Sequence, residues 1–332
     1  MVRFGIVQDL RPVRVLAVGD FMLDTYTRGR IRRISPEAPV PVLEVDSTDS
    51  RPGGAGNVVL NFLALGASVT AVGRIGDDEA GEELRVHLMS SGADVEGLCV
   101  DGSIPTPQKN RLLAGQQILR VDRERIVTLS AEMEEAFLKT VREALPCTDL
   151  IALSDYGKGT LSRSLLRRLI EAARAAEVPV LVDPKGDDFS RYQGATLIKP
   201  NLAEAYAAAK LSSASLEEVA SVLRAYSDYI LITRSEAGMS LFDARGTRTD
   251  FPVRARDVRD VTGAGDTVLA VLGTAWASGI PLAEAVALAN IAAALSIERL
   301  GCAQVTPQEL TERLRELAQP SSKERLTHLQ QL

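Results

Sequence analysis

Glycine and aspartate stand together at the start of a predicted helix in the segment Asp260-Val-Thr-Gly-Ala-Gly-Asp266. Glycines at a helix N-terminus let backbone N–H groups converge on one point, and the helix dipole adds positive potential there. Asp266 follows directly, so a carboxylate lies beside a predicted anion-binding site. That pairing is what the deprotonation of an alcohol requires while a phosphoryl group arrives. The alternative is a glycine-rich turn in which Asp266 only caps the helix.

The composition excludes several other chemistries. The 332 residues carry a net charge of −6 and only 4% aromatic side chains, which disfavours nucleic acid as a partner. Cys99, Cys147 and Cys302 lack CxxC spacing, and this indicates free thiols in a reducing compartment. With only His87 and His328, a histidine-rich metal site is excluded and a Ser-His-Asp triad is disfavoured. Carboxylates, lysines, backbone amides or a bound ion would have to perform catalysis.

Targeting signals are not found in the sequence. The N-terminus is mixed and charged, and no apolar run has the length of a membrane span. We therefore expect a cytoplasmic protein without a membrane partner.

Strands and helices are predicted to alternate along most of the chain. This rhythm predicts an α/β fold with a mostly parallel sheet covered on both faces. The apolar run Arg14–Asp20 reads as a buried strand, and ligands bind at the carboxyl edge of such sheets. Asp20 and Asp24 are therefore candidate ligands of a hydroxyl group, or else carboxylates that cap loops. Further polar clusters follow later strands, at 155–158, 183–185, 199–201 and 233–235.

Two segments interrupt the alternation. Residues of about 28–50 are rich in proline and valine, and residues 105–123 contain a predicted hairpin with its turn at Ala114-Gly115. We expect them to form a small β lid inserted into one domain that spans 1–320, followed by a C-terminal tail at 321–332.

A second glycine-rich helix start occurs at Arg51-Pro-Gly-Gly-Ala-Gly-Asn57. It is not the GxGxxG pattern, so a dinucleotide site is rejected. The amide of Asn57 could hold a sugar hydroxyl, whereas the default explanation of the glycines is helix–strand packing.

Three ordered segments together resemble the ribokinase-like (PfkB-type) carbohydrate kinase family. They are Arg51–Asn57, Lys199-Pro-Asn-Leu-Ala-Glu204 and Asp260–Asp266, and the resemblance extends from about Val15 to Leu310. It implies a three-layer sandwich with an inserted β lid, and the transfer of the γ-phosphoryl group of ATP to a sugar with Mg²⁺.

Other segments resemble the branch of this family that phosphorylates D-glycero-β-D-manno-heptose 7-phosphate, a step toward ADP-heptose and lipopolysaccharide. They are Gly19–Asp24, Ser35–Val42, Ser154–Gly159, Val182–Gly186 and Thr233–Ser240. Bifunctional relatives continue into a nucleotidyltransferase domain with a His-x-Gly-His signature that this sequence lacks, so only the kinase step is expected. The alternatives are a kinase for ribose, a fructose phosphate or a nucleoside, or a non-catalytic sensor of nucleotide or sugar phosphate.

The resemblance implies a role for each matching residue. Asp266 would be the base, kept ionised by the helix dipole, and the anion hole would be Gly263, Ala264 and Gly265. The predicted ATP site is Lys185, Asn201, Glu204, Thr233 and Asn290, in which Asn201 and Glu204 organise Mg²⁺ through water. The predicted sugar site is Asp24, Gly53, Gly54 and Asn57, with Arg51, Lys109 and Lys158 nominated to hold the substrate phosphate. The resemblance also implies a homodimer through the lid, and relatives place a monovalent cation such as K⁺ near Asp260 and Thr262.

Overall fold

The computed structural model describes residue 3 and residues 5–253, 258–299 and 301–318. The predicted tail at 321–332, with His328, lies outside the described residues. Within the described part, no helix combines the length and apolarity that crossing a membrane would need.

Thirteen strands are found in the described residues. They are β1 Arg14–Gly19, β2 Phe21–Ile34, β3 Pro41–Gly54, β4 Ser68–Gly76, β5 Asp94–Asp101, β6 Gln108–Ala114, β7 Gln116–Arg123, β8 Leu150–Ser154, β9 Val180–Asp183, β10 Ala195–Ile198, β11 Ser227–Thr233, β12 Met239–Phe242 and β13 Arg248–Phe251.

The α-helices of the described residues alternate with the strands as predicted. They are α1 Ala55–Ala64, α2 Glu79–Ser90, α3 Ala131–Ala144, α4 Arg163–Ala175, α5 Leu202–Ala209, α6 Leu216–Leu223, α7 Ala264–Ala277, α8 Leu282–Ile297 and α9 Pro307–Ala318.

Nine strands form the central sheet, in the order β13-β12-β11-β10-β9-β8-β1-β4-β5. The seven strands from β11 to β5 in that order pair in parallel, and β12 and β13 pair antiparallel at one edge. In β1, Val15 and Ala17 join one apolar core with α1, α7 and α8, whereas Leu16 and Val18 join a second core with α3, α4 and α6. Both faces are therefore covered, which confirms the predicted three-layer α/β fold.

A separate four-stranded sheet, in the order β3-β2-β6-β7, projects from this body, and we call it the lid. Its strands extend beyond the segments expected from the sequence, because β2 begins at Phe21 and β3 continues to Gly54. Asp24 consequently lies within lid strand β2, five residues past the end of β1, and not in a loop at the edge of the central sheet. Since β3 leads directly into α1, the lid is joined to the body at a helix N-terminus.

Candidate active site

Asp266 lies in the first turn of α7, with only 3% of its surface exposed. Its Oδ2 accepts a hydrogen bond from Asn57 Nδ2 at 2.6 Å, and its Oδ1 accepts one from the hydroxyl of Tyr156 at 3.0 Å. Each carboxylate oxygen thus has one donor and keeps a further lone pair for a substrate proton. The geometry suits a general base that is held in one orientation.

Burial raises the pKa of Asp266 to about 7, and the nearby carboxylate of Asp183 adds to the rise. The hydrogen bonds from Asn57 and Tyr156 and the charge of Lys199 act in the opposite direction, yet they do not offset the loss of hydration. Burial thus opposes the predicted effect of the helix dipole, which was expected to keep Asp266 ionised. A base with a pKa near 7 changes its protonation state at physiological pH.

The side chain of Asn57, which the sequence predicts to hold a sugar hydroxyl, contacts Asp266. It lies in the first turn of α1 and is 1% exposed. Asn61 donates to the backbone carbonyl of Asn57 at 2.9 Å, while Thr267 donates to Asn61 Oδ1 at 3.0 Å. These contacts tie the first turns of α1 and α7 together around the base.

Asp20 is not available as a ligand of a hydroxyl group, because its carboxylate organises a loop. It is 1% exposed and accepts hydrogen bonds from the backbone N–H groups of Tyr156, Lys158 and Thr160 at 2.9–3.1 Å. Of the two possibilities left by the sequence, the structure selects loop capping. The loop fixed in this way is the one that carries the Tyr156 hydroxyl to Asp266.

The start of α7 is the position where the sequence predicts an anion hole. Gly263, the residue before the helix, has φ 78°, a left-handed conformation that suits glycine, and a Cβ there would lie 2.8 Å from Asn57 Nδ2. Ala264 N donates to Val261 O at 3.3 Å, so its amide is already partly engaged. Within the described chain, the first-turn amides of Gly265 and Asp266 are the ones without a backbone acceptor outside the helix.

A buried ion pair lies next to this helix start. Lys199 Nζ is 2.9 Å from Asp183 Oδ1, and Lys199 is 3% exposed. A Cβ on Gly265 would lie 3.3 Å from Lys199 Nζ and 3.5 Å from Asp183 Oδ2, so both charged groups approach the glycine closely. The lysine adds positive charge to the amides where an anion would bind.

Most of the predicted ATP-site residues line one cavity of about 250 Å³ beside Gly265. They are Lys185, Asn201, Glu204 and Thr233. Strands β9, β10 and β11 are neighbours, and their carboxyl ends deliver these residues to one edge of the sheet. Tyr156, Asp183 and Lys199 line the same cavity.

Asn201 and Glu204 form a capping box at the start of α5. Asn201 Oδ1 accepts from Glu204 N at 2.9 Å, and Glu204 Oε2 accepts from Asn201 N at 3.1 Å. Lys185 Nζ donates to Glu204 Oε1 at 2.9 Å. These oxygens are hard donors that suit Mg²⁺, and because each already accepts a hydrogen bond, they fit contact with the ion through its water shell.

Asn290 is separated from this group of residues. It lies in α8, where its Nδ2 donates to Pro252 O at 2.8 Å, and it does not line the cavity. This hydrogen bond fixes the backbone at Pro252, shortly after the end of β13. Residues 254–257 lie outside the described part.

The predicted sugar residues of the lid lie around Asp24. Asp24 is 6% exposed, and Arg111 Nη1 donates to its Oδ1 at 2.6 Å. A Cβ on Gly53, across the β2–β3 ladder, would lie 2.2 Å from Asp24 Oδ2, so this strand position has room only for glycine. Gly54 follows as the N-cap of α1. The carboxylate therefore lies where the lid meets the body.

Cationic side chains lie on both lid strands that flank Asp24. Lys109 lies opposite Asp24 in the β2–β6 register, and Arg51 lies opposite it in the β2–β3 register. Lys158 is already paired, because its Nζ lies 2.7 Å from Glu124. Burial lowers the pKa of Lys109; the charge of Asp24 opposes this change, whereas the neighbouring cations Lys158 and Arg111 add to it.

Comparison with known proteins decides the family. Residues 14–309 match the family model described as pfkB family carbohydrate kinase. The chain belongs to this family. The Bifunctional protein HldE of Citrifermentans bemidjiense is 46% identical over 304 residues, which cover 90% of this chain and 62% of that protein. The chain thus spans somewhat less than two thirds of the length of this curated relative.

Solved structures show the same fold at low sequence identity. Ribokinase of Arabidopsis thaliana, complexed with ribose and ATP, superposes with a TM-score of 0.72 at 18% identity, covering 92% of this chain and 99% of that one. Phosphofructokinase-2 of Escherichia coli, in complex with potassium, superposes with a TM-score of 0.75 at 19% identity, covering 93% and 99%. Both confirm the predicted ribokinase-like architecture.

Three site residues of this pfkB carbohydrate kinase were missed by sequence reasoning. Tyr156 and Lys199 stand in segments that had been singled out, but nothing in their spacing linked them to Asp266 or Gly265. Arg111, which holds Asp24, lies two residues beyond Lys109 on the same lid strand. The period-2 alternation of a strand places 109 and 111 on one face, and this signal could have found it.

Proposed function

We propose that this chain transfers the γ-phosphoryl group of ATP to the anomeric hydroxyl of D-glycero-β-D-manno-heptose 7-phosphate and so makes the 1,7-bisphosphate. The observation that carries the proposal is the arrangement of Asp266, a buried base with a pKa of about 7, beside the amides of Gly265 and the ammonium of Lys199. The 46% identity to a Bifunctional protein HldE and the sequence segments typical of the heptose branch support this substrate.

In the proposed reaction, Asp266 accepts the proton of the sugar hydroxyl as the bond from the sugar oxygen to the γ-phosphorus forms. The bond between the γ-phosphorus and the β,γ-bridging oxygen breaks, and ADP leaves. The amides at the start of α7 and Lys199 stabilise the charge on the transferred group. Mg²⁺, organised through water by Asn201 and Glu204, would neutralise phosphate charge when bound.

Ion pairing and burial together favour Lys109 as the main anchor for the phosphate of the sugar. Of the cations around it, three have carboxylate partners, namely Arg111 with Asp24, Lys158 with Glu124 and Arg120 with Asp122, at 2.6–2.9 Å. Lys109 and Arg51 have no ion-pair partner among the described residues, and Lys109 is the more buried of the two. An anion bound there would supply the missing countercharge, and this explains how an acidic protein can bind a phosphorylated sugar.

The experiment is an assay of ADP release over a panel of acceptors. The panel contains heptose 7-phosphate, the unphosphorylated heptose, ribose, fructose 1-phosphate and a nucleoside. We expect turnover with heptose 7-phosphate well above turnover with the others. Turnover with ribose and none with heptose 7-phosphate would reject the proposed substrate, and binding of ATP and sugar without any ADP release would favour the sensor.

Lys109→Gln tests the anchor in the same assay. We expect KM for heptose 7-phosphate to rise by about tenfold or more, because a desolvated charge contact is lost, while the KM for ATP stays constant. Lys139→Gln is the matched control, since Lys139 lies on α3 with 75% of its side chain exposed. Equal KM values for Lys109→Gln and the parent would contradict the anchor.

A homodimer through the lid is part of the same proposal. Exposed apolar side chains lie on three of the four lid strands, β2, β3 and β7. They are Ile31, Ile34, Val45, Leu119 and Val121. A second copy would remove this surface from water. We expect analytical ultracentrifugation to give a dimer for the parent and a monomer for the double variant Leu119→Asp/Val121→Asp, and a parent monomer would reject the interface.

Activation by a monovalent cation is proposed at the loop before α7. Asp260 orders this loop by accepting hydrogen bonds from Thr262 N, Thr262 Oγ1 and Gly301 N at 2.6–2.9 Å. We expect K⁺ to raise kcat relative to tetramethylammonium at constant ionic strength. Equal rates in the two salts would remove the cation from the proposal.

A further inference from the structure

Tyr156 connects the base to the lid. Its hydroxyl donates to Asp266 Oδ1 at 3.0 Å, and Lys109 Nζ of lid strand β6 lies 5.4 Å from the centroid of its ring. A cation at that distance from an aromatic ring is attracted to the ring. One side chain therefore contacts both the proposed base and the proposed phosphate anchor.

The loop that carries Tyr156 is rigidly held. Asp20 accepts from the backbone N–H of Tyr156 and from two further amides of the loop. Asp155 accepts from Gly157 N at 2.8 Å, and Arg74 donates to Lys158 O at 3.0 Å. Because the backbone that bears the phenol is held by so many contacts, the hydroxyl can define the position of the carboxylate that it touches.

We propose that Tyr156 is a positioning residue, whose hydroxyl fixes the carboxylate of Asp266 for proton transfer and whose ring carries the lid cation Lys109. The inference rests on the proposed function only in taking Asp266 as the base. Tyr156 remains a donor throughout the working range, because burial raises its pKa well above the ordinary value of 10. No proton leaves the tyrosine in this role.

The charged and titratable groups that face Asp266 come from several elements. They are Tyr156 after β8, Asp183 at the end of β9, Lys199 after β10 and Cys302 before α9. Asp183 raises the pKa of Asp266, whereas Lys199 and the hydrogen bond from Tyr156 lower it. Removing only the hydroxyl leaves the other groups in place, so its effect on the base can be separated from theirs.

The test is Tyr156→Phe, which keeps the ring and removes the hydroxyl. We expect the acidic limb of the kcat profile to move to higher pH by about one pH unit, because a donor to the ionised carboxylate is lost. The rate should fall most at low pH and recover in part at high pH. A role limited to loop stability would lower the rate at every pH without moving the limb, and an unmoved limb overturns the proposal.

Tyr192→Phe is the matched control. Tyr192 also donates to a buried carboxylate, Asp155 Oδ2, at 2.7 Å, yet it does not contact Asp266. Its loss should lower the melting temperature while the acidic limb stays in place. A limb that moves equally in both variants would show a general effect of the loop and would also overturn the proposal.

A second measurement needs neither turnover nor the correct sugar. Carboxyl-¹³C aspartate labelling would follow the titration of Asp266, with its resonance assigned by its loss in Asp266→Asn. We expect the pKa of Asp266 to be higher in Tyr156→Phe than in the parent. If Tyr156→Phe does not fold, site-specific 3-fluorotyrosine at 156 can be used. Its hydroxyl is a more acidic donor and should lower the pKa of Asp266.

These outcomes separate the two proposals. A parent enzyme that turns over none of the acceptors defeats the proposed function, but the ¹³C titration still decides the role of Tyr156. If the parent is active but the pKa of Asp266 is the same in the parent and in Tyr156→Phe, the proposed function stands and this inference is rejected.

Discussion

Asn57 and Asp266 are 209 residues apart in the sequence and 2.6 Å apart in the structure, where the amide Nδ2 donates to the carboxylate Oδ2. Each is the third residue of its helix, and each helix is preceded by a glycine with positive φ. The two glycine-rich motifs are thus halves of one arrangement, in which the first helix start supplies a donor to the base at the second.

The first prediction concerns Asn57→Ala. If Asn57 supports the base, kcat falls and its acidic limb moves to higher pH, while KM for the sugar changes little. Loss of a buried hydrogen bond should also lower the free energy of unfolding by about 1–3 kcal/mol. Steady-state kinetics and chemical denaturation measure both effects. A large rise in the KM for the sugar at unchanged kcat would instead support the original expectation that Asn57 holds a sugar hydroxyl.

The second prediction is the pH dependence of the unmodified protein. Only the ionised Asp266 can accept a proton, and burial raises its pKa to about 7. The value of kcat should therefore increase about tenfold per pH unit below 7 and level off above it. A profile that is flat from pH 5 to 8 would show that Asp266 does not titrate in the active complex.

The third prediction links the base to stability. The folded pKa of Asp266, about 7, lies above the unfolded value of roughly 4, so its ionisation opposes folding. This unfavourable contribution is absent below about pH 4, grows as the pH rises to 7, and stays constant above. Asp266→Asn should thus raise the melting temperature more at pH 8 than at pH 5. Calorimetry at the two pH values checks this, and an equal change at both would contradict it.

The fourth prediction concerns Gly53→Ala in the lid. The added Cβ would lie 2.2 Å from Asp24 Oδ2, so the carboxylate would have to leave Arg111. Overpacking of this kind costs about 1–3 kcal/mol, and KM for the sugar should rise while KM for ATP stays constant. Gly102→Ala is the control, because the nearest atom to its added Cβ is 3.9 Å away. Identical sugar KM values in both variants would exclude Asp24 from the sugar site.

The fold was predictable because the signals that define it are local. Strand β1, for example, was predicted from the apolar run Arg14–Asp20 and is found at Arg14–Gly19. The meeting of Lys185, Glu204 and Thr233 could also be anticipated, since residues that follow neighbouring parallel strands share one edge of the sheet.

The remaining features of the site depend on contacts that no local pattern encodes. Tyr156 reaches Asp266 because Asp20, which lies between β1 and β2, orders its loop, and the sequence could not distinguish this role of Asp20 from ligand binding. Likewise, the raised pKa of Asp266 results from the closing of α1 and α7 around it, whereas the sequence displayed only the helix start. The extent of the lid was underestimated because β2 and β3 extend well beyond the proline-rich segment that joins them.

The most direct test of the account compares the parent protein with Asp266→Asn, using ATP, Mg²⁺ and heptose 7-phosphate. We predict rapid ADP release by the parent, and in the variant a kcat lower by about 10²–10⁴-fold with ATP and sugar binding retained, as expected for the loss of a base. A variant that releases ADP as fast as the parent would contradict the central claim that Asp266 accepts the proton of the sugar.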